Sequence, residues 1–409
     1  RIKSDHISQL EHIGGFGGRA DQLNYYNIFT NNPNTINTDL ERYTSVQPKD
    51  IQAVTKSTIG NNRVMMKVLP KPNLGSKNVS INRSKIPNPK KFSRFTPAIP
   101  EKISISKNTN MLFLSKSGIP LTSVSIIFKG GSNQDPHNTP GLNHITSKLI
   151  TEGTTNKSSE EIHGQLEFIA STLNATTYHE HTAVYTQSLN ENSLTTQNLL
   201  SDILTNANFP KPELDRVKKQ ELIDIKRISD DPVAISRLAS RAIIYNKNYP
   251  LSHPIKGTES SLQKTTQKSI ANQYSKNYLP ENSTILVVTG RPKSDVTAEI
   301  QGSLSDWLNK KPNSTNEIQA PYLNPIVRPG PSIYILDKPN SPQSVIRAGM
   351  LTIKRTDPDY FAMTLINYIF GGQPTSRLFK NLRQDKGYSY GYYSTIEWSQ
   401  FASLLMAGG

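Results

Sequence analysis

Cysteine is absent from the 409-residue chain, which excludes disulfides, thiolate nucleophiles and cysteine-based zinc sites. No run of eighteen apolar residues occurs, so the sequence predicts no transmembrane segment. Acidic residues are scarce, 32 against 47 Lys and Arg, and residues 51–100 hold ten basic residues and no Asp or Glu. No zinc finger, recognition helix or aromatic-interleaved basic strand accompanies them. We therefore interpret this stretch as a solvated linker or a contact for an acidic surface, and predict no nucleic-acid binding.

The length of the chain is sufficient for two or more domains, each with its own core. Two polar stretches rich in proline, 73–100 and 311–331, predict linkers. They leave residues 1–72 as the C-terminal tail of one domain, 101–310 as a complete domain and 332–409 as the start of a further one. The chain begins at Arg1 without a Met, and we expect both of its ends to be cuts in a longer polypeptide.

The apolar pattern predicts an α+β fold. Spacing of i, i+3, i+4 indicates helices, among them 140–152, 193–206, 211–229, 232–246 and 375–384. Alternating runs indicate strands, which include a hairpin of 111–115 with 124–128 and strands at 332–336 and 344–349. Strands and helices are segregated, which is typical of mainly antiparallel sheets packed with helices. A helix, a short turn and a strand end both the first and the second segment, and this repeat indicates related domains in tandem.

One helical stretch has the frame of a metal-binding motif. In the inverted zinc motif H-x-x-E-H, two His ligands lie on one helical face and a Glu activates water. Here His144 occupies the first position, but Ser147 stands where the Glu would be and Lys148 where the second His would be. One of three functional groups is present, and His144 alone is typical of a polar residue near a helix start.

The surrounding residues carry a resemblance to a known family. Its motifs are Phe128–Ser132, Pro140–His144, Glu152–Thr154, Asn174–Thr177, Phe209–Arg216, Arg377–Arg383 and Gly387–Tyr390. In this order they resemble the pitrilysin/insulinase family of zinc metallopeptidases, over nearly the whole chain. The resemblance implies a clamshell of four homologous domains whose two halves enclose a peptide. The chain would hold the end of the first half, the third domain and the start of the fourth.

The resemblance also implies where a zinc ion would be bound. The family's third ligand is a Glu on a long helix, seven residues before a second acidic position, and the spacing from Phe209 places these at Val217 and Asp224. Since a Val side chain cannot bind metal, we expect this degenerate half to hold neither zinc nor a catalytic group. Zinc is then expected in the other half of the parent protein.

Arg383 and Tyr390 match the family's second-domain signature in both residue type and spacing. The resemblance implies that this pair reaches across the chamber to the substrate. A guanidinium fork and a phenol donor suit a peptide carbonyl or a developing oxyanion. The alternative is an Arg salt bridge beside a strand aromatic residue, without a functional role.

Two further hypotheses concern charged groups. The Lys148 ammonium could occupy the space of the lost cation and pair with Glu221 or Asp224, which would leave no buried carboxylate unpaired. His179 and His181 alternate as on a strand, so their imidazoles could share a face and bind a metal, although no third ligand is apparent. Side chains so placed more often face solvent or stack.

These observations predict the non-catalytic half of a zinc metalloendopeptidase, which forms a peptide-binding chamber and supplies Arg383 and Tyr390 to a zinc site elsewhere. Its partners would be a peptide or unfolded protein and a catalytic half, in the same chain or in a paired subunit. The family favours the periplasm or envelope of a bacterium. The alternative is a non-enzymatic scaffold or interaction protein with the same fold.

Overall fold

The structure is a computed structural model that describes residues 2–59, 96–118, 120–246, 248–311, 330–339 and 341–409. The strand predicted at 63–69 and most of both predicted linkers lie outside the described residues. The chain forms two compact units, of which one holds Ile2–Ile99 and the other Pro100–Gly409. No helix in the described ranges is both long and apolar enough to cross a bilayer.

The first unit is helical where it is described. Its helices are α1 (Ile2–Gln9), α2 (Arg19–Thr30), α3 (Asp39–Thr44) and α4 (Pro48–Thr58). A glycine-rich segment, residues 14–18, separates α1 from α2, since glycine costs about 1 kcal/mol more than alanine in a helix interior.

The second unit begins with a six-stranded sheet of order β1-β2-β6-β3-β5-β4. The strands are β1 (Glu101–Ser106), β2 (Thr109–Ser115), β3 (Leu121–Lys129), β4 (Thr172–Thr177), β5 (His181–Leu189) and β6 (Ser283–Thr289). Only the β2–β6 pair is parallel in this sheet. The predicted mainly antiparallel α+β class is confirmed. The predicted β2–β3 hairpin is wrong, because β6 lies between these two strands and pairs with both.

Nine helices of the described chain accompany this sheet. They are α5 (Leu142–Leu149), α6 (Ser159–Phe168), α7 (Ser193–Asn206), α8 (Lys211–Ile228), α9 (Pro232–Tyr245), α10 (Glu259–Lys264), α11 (Gln267–Asn277), α12 (Lys293–Ser303) and α13 (Ser305–Leu308). The helices predicted at 193–206, 211–229 and 232–246 are confirmed. Alternate β6 residues, such as the fully buried Ile285 and Val287, share one core with Ile145 of α5, Leu200 of α7 and Ile270 of α11. Helix α5, which carries His144, is thus packed between the sheet and other helices.

The remaining residues form a three-stranded antiparallel sheet of order β7-β9-β8. Its strands are β7 (Arg347–Thr352), β8 (Tyr393–Glu397) and β9 (Ser403–Gly408), and its helices are α14 (Tyr360–Phe370) and α15 (Arg377–Phe379). The strand predicted at 332–336 is wrong, because these residues run outside the sheet. The helix predicted at 375–384 is a single α-helical turn that continues as a π-helical turn at Lys380–Asp385.

Helix α9 packs against the three-stranded sheet of this unit. Arg241, whose side chain is 9% exposed, donates through Nε to the Leu251 carbonyl at 2.5 Å and through Nη1 to the Glu397 carboxylate. One turn further, the buried Tyr245 hydroxyl donates to the Ala402 carbonyl at 2.7 Å. The β8 and β9 strands are therefore attached to α9 by polar bonds as well as by apolar packing.

Candidate functional site

Helix α5 begins at a fixed position because a partly buried carboxylate holds its first residues. The Asp135 carboxylate accepts from the backbone N–H of Gly141 and of Asn143, each at 2.7 Å. Gly141 has a φ of 92°, and a Cβ there would lie 2.7 Å from the Lys256 carbonyl oxygen. Only glycine fits this backbone and this contact. Burial raises the pKa of Asp135 to about 7, against the lowering effect of these hydrogen bonds.

The Asn143 side chain extends this polar network into the core. Its Nδ2 donates to the Gly131 carbonyl at 2.8 Å, and its Oδ1 accepts from Gln273 at 3.0 Å and from Asn277 at 2.6 Å. Both amides belong to α11, so the network fixes α5 against α11. His144 is the next residue along the chain, so the contacts of Asn143 also fix its position.

His144 is buried and faces α8. Its Nε2 lies 3.1 Å from Glu221 Oε2, close enough for an ion pair, yet the two groups are not aimed as a hydrogen bond requires. The ammonium of Lys256 lies 3.2 Å from the same Glu221 oxygen and 2.8 Å from Asp224 Oδ2. Lys256 thus contacts both carboxylates, but only Glu221 also lies against His144. We call these four residues the His144 site.

The other motif positions take no part in this cluster. The buried Ser147 hydroxyl donates to the carbonyl of its own helix at His144, at 2.7 Å. Lys148 is exposed, and no ion pair of Lys148 occurs within the described ranges. Val217 lies in the hydrophobic core. None of these three side chains therefore points a ligand at His144.

Two predictions about this site are wrong. The cation beside the carboxylates is Lys256 rather than Lys148, because position 148 falls on the solvent-facing side of α5. The acidic residue opposite His144 is Glu221, one helical turn beyond Val217, so the expected alignment of α8 is displaced by one turn. The i, i+4 spacing of Val217 and Glu221 leaves both on one face of α8, and a sequence pattern alone cannot tell which of them meets α5.

The residues present do not fit a catalytic zinc ion. Such a site needs three neutral or anionic ligands and an open position. Here only His144 and Glu221 converge, and an ammonium occupies the space beside them. Among the described residues, no group of three or more His, Asp or Glu side chains could hold a metal.

Arg383 and Tyr390 lie close together between α15 and β8, in the part of the unit that contains the three-stranded sheet. The Arg383 guanidinium stands 4.3 Å from the centre of the Tyr390 ring and 4.9 Å from that of Phe379, so it is held between two aromatic faces. Phe379 is buried and packs against Tyr393 of β8, with ring centres 5.3 Å apart. Tyr390 is 87% exposed. In the described chain no carboxylate pairs with Arg383, and its N–H groups are available to a ligand.

The histidines at 179 and 181 do not form a metal site. His179 lies in the turn between β4 and β5, where its Nδ1 is 2.9 Å from Ser132 Oγ, and His181 stacks on the Tyr178 ring at 4.5 Å. The prediction of one shared strand face is wrong, because the turn interrupts the alternation. The residue between them, Glu180, accepts from the Ser399 hydroxyl and from the Gln400 N–H at 3.1 Å.

We expect His179 to make the protein sensitive to acid. Burial, with a smaller contribution from the Arg241 charge, lowers the pKa of His179 to about 3. Since the unfolded chain takes up a proton near pH 6.5 and the folded chain does not, stability falls as the pH drops below 6.5. The slope should approach about 1.4 kcal/mol per pH unit. Urea unfolding at pH 7, 6 and 5 should show a flatter dependence for His179→Gln. The control His163→Gln, at a site with a side chain 52% exposed, should behave as wild type.

Comparison with known proteins gives two matches to family models. The model described as insulinase (peptidase family M16) matches residues 111–259, and the model described as the peptidase M16 inactive domain matches residues 264–406. Together they cover the His144 site, Arg383 and Tyr390.

Two curated relatives are named as zinc proteases. The chain is 25% identical over 261 residues to the "Uncharacterized zinc protease YmxG" of Bacillus subtilis, across 63% of this chain and 61% of that protein. It is 26% identical over 294 residues to an "Uncharacterized zinc protease" of Rickettsia felis, across 71% of this chain and 69% of that protein. The chain thus spans 61% of the length of the Bacillus relative.

Solved structures show the same fold. A protease from Helicobacter pylori superposes with a TM-score of 0.69 at 18% identity, across 76% of this chain and 75% of that one. The peptidase M16 inactive domain from Pseudomonas fluorescens gives a TM-score of 0.64 at 23% identity, across 76% of this chain and 73% of that one.

Proposed function

Because the chain belongs to the insulinase peptidase family M16, we propose that it is the non-catalytic half of a zinc metalloendopeptidase. In this proposal the half forms part of a chamber for peptide and supplies Arg383 and Tyr390 to a zinc site held by another half. The catalytic half is either another part of the same protein or a paired subunit.

The observation that carries the proposal is the contact between Arg383 and Tyr390. The guanidinium is held between two rings and its polar edges are unpaired within the described chain, while the phenol is exposed. Such an arrangement is prepared to donate hydrogen bonds to a carbonyl oxygen or to the anion that develops from it. A purely structural Arg would be expected to use these N–H groups on a neighbouring carboxylate or carbonyl.

The composition of the His144 site supports the non-catalytic assignment. Ser147 cannot take the role of a general base in place of a Glu, because its hydroxyl is bound to its own helix. The Lys256 ammonium brings positive charge to the place where a metal would need ligands. The proposal therefore locates zinc in the partner half.

The edges of the six-stranded sheet support a role in holding extended peptide. Strands β1 and β4 are the two edge strands of the sheet. On β4, Asn174 and Thr176 are exposed. An added peptide strand could pair with free backbone groups at such an edge, and pockets for alternate side chains would select its sequence.

A non-enzymatic scaffold with the same fold is the second candidate. The His144 site does not fit a catalytic zinc ion, and this observation favours the scaffold and the first proposal equally. The free polar edges of Arg383 do not, because a scaffold has no need of an unpaired guanidinium beside an exposed phenol.

The two candidates are separated by zinc content and peptide cleavage. The complete protein should contain stoichiometric zinc and cleave unfolded peptides, whereas this chain purified alone should do neither. Stoichiometric zinc together with peptide cleavage by this chain alone would contradict the non-catalytic assignment. A complete protein that binds peptides but cleaves none would favour the scaffold.

A further inference from the structure

A lysine lies inside the cluster that His144 forms with α8. The Lys256 ammonium is in contact with Glu221 at 3.2 Å and Asp224 at 2.8 Å, while His144 Nε2 is 3.1 Å from the same Glu221 oxygen. Glu221 is 5% exposed and His144 is 8% exposed. Lys256 is therefore the cation that compensates the charge of this buried carboxylate.

The fold itself sets the position of Lys256. Gly257 has a φ of 75°, and a Cβ there would lie 2.1 Å from the Pro140 carbonyl oxygen. That carbonyl accepts from the Ser261 hydroxyl at 2.7 Å, and a Cβ on Gly141 would meet the Lys256 carbonyl. The backbone of Lys256 is thus packed directly on the start of α5. Its side chain begins from a fixed point and reaches α8 across the site.

The charges of the cluster balance without any bound ion. Glu221 and Asp224 carry two negative charges, and Lys256 and Arg227, which is 3.9 Å from Asp224, carry two positive charges. Burial raises the pKa of Glu221, but His144 and Lys256 outweigh it and hold that pKa below its usual value. Burial lowers the pKa of Lys256, but the two carboxylates outweigh it and raise that pKa. Both groups stay charged throughout the neutral range.

A divalent cation at this place would meet the ammonium at short range. Two like charges about 4 Å apart repel by several kcal/mol at the effective dielectric constant of a protein surface. Such an ion would also find only two converging protein ligands. The arrangement therefore disfavours the binding of a metal ion, and no metal ion is needed to balance the charges.

We propose that the Lys256 ammonium is the resident cation of the His144 site and permanently balances the charge that a metal ion balances in a metal-binding site of this kind. The helices α5 and α8 are then held together by a covalently attached cation, and their packing does not depend on metal supply. This inference is independent of the roles proposed for Arg383 and Tyr390.

The test is the thermal stability of the full chain at pH 8, where an ordinary imidazole is neutral. Lys256→Met should lower Tm by about 4 °C, because it leaves Glu221 buried without its cation. Lys148→Met removes an equally long cation from the exposed face of α5 and should change Tm by less than about 1 °C. Adding Glu221→Gln to Lys256→Met should restore part of the loss, since the uncompensated charge is then gone.

The same measurement with metal and chelator separates the alternatives. Wild-type Tm should be unchanged by EDTA and by equimolar zinc chloride. A fall in wild-type Tm with EDTA would show that a metal is the resident cation and would overturn the proposal. Equal effects of Lys256→Met and Lys148→Met, or a Glu221→Gln substitution that adds to the loss rather than reducing it, would overturn it as well.

Discussion

Replacement of Arg383 by alanine in the complete protein is expected to lower kcat for peptide hydrolysis by about 10²–10³-fold, the loss that typically follows removal of one donor to a developing oxyanion. The guanidinium already lies between the rings of Phe379 and Tyr390, so little reorganisation is needed when charge develops on the substrate. The proposed role requires an interaction that strengthens in the transition state, so kcat should fall by a larger factor than KM rises. Steady-state kinetics with a fluorogenic peptide would measure both.

Matched substitutions separate this role from general damage to the fold. Tyr390→Phe should also lower kcat, by about tenfold or more, because the phenol donor is lost while the ring contact to Arg383 is kept. Tyr388→Phe and Arg377→Ala change exposed residues of the same segment and should leave kcat within about twofold. If Arg383→Ala and Arg377→Ala gave equal activity with unchanged stability, Arg383 would have no catalytic role.

Replacement of Arg241 by methionine should destabilise the second unit by about 2–4 kcal/mol. The substitution leaves the Leu251 carbonyl without its donor in a buried place and removes the cation from Glu397. The cost stays in this range rather than above it, because the Glu397 side chain is 48% exposed and can be hydrated. The midpoint of urea unfolding, followed by tryptophan fluorescence, would measure the change in the free energy of unfolding.

Arg237→Met is the matched control for Arg241→Met, since it removes an exposed guanidinium from the same helix. We expect it to leave the unfolding midpoint unchanged or slightly higher, because Arg237 repels the Arg347 guanidinium. An unchanged midpoint for Arg241→Met would mean that the Arg241 contacts do not stabilise the packing of α9 on β8 and β9, which would then depend on the Tyr245 hydrogen bond and the apolar contacts.

Local pattern was sufficient to predict several helices of the described residues. The spacing of apolar residues in 193–206, 211–229 and 232–246 specifies helices that each pack one face on a core, and the structure has α7, α8 and α9 there. The predicted antiparallel class is also confirmed, since segregated strands and helices leave few other ways to pair. These features depend on residues close in sequence.

Features that depend on distant residues were not predictable in this way. Strands β2 and β3 have the sequence of a hairpin with a turn at Gly118, and nothing near them shows that β6 will pair with both. The 332–336 segment has the alternation of a strand but lacks a pairing partner in the described sheet. Alternation of apolar and polar residues indicates that a segment can form a strand, whereas its pairing depends on residues elsewhere in the chain.

The His144 site shows the same division. Its first position and the helix that carries it follow from local sequence, but its cation comes from a loop more than a hundred residues away. No spacing rule distinguishes Lys256 from the many other lysines. The position of Lys256 is fixed by the close contact of Gly141 with Gly257. Neither glycine, taken alone, indicates in the sequence that the two meet. Arg383 and Tyr390 could be proposed from the sequence because their residue types and spacing match the signature of the resembled family, and the structure places the two side chains in contact.

The central position of β6 has a consequence for the order of folding. Its pairing with β2 joins residues such as Met111 and Ile285, so the sheet cannot close until almost the whole domain has left the ribosome. Long loops closed by such distant pairs slow folding and leave strand edges open meanwhile. A fragment that ends at residue 259, the limit of the first family match, would lack the strand that separates β2 from β3. Such a fragment would expose two unpaired edges and should aggregate during synthesis.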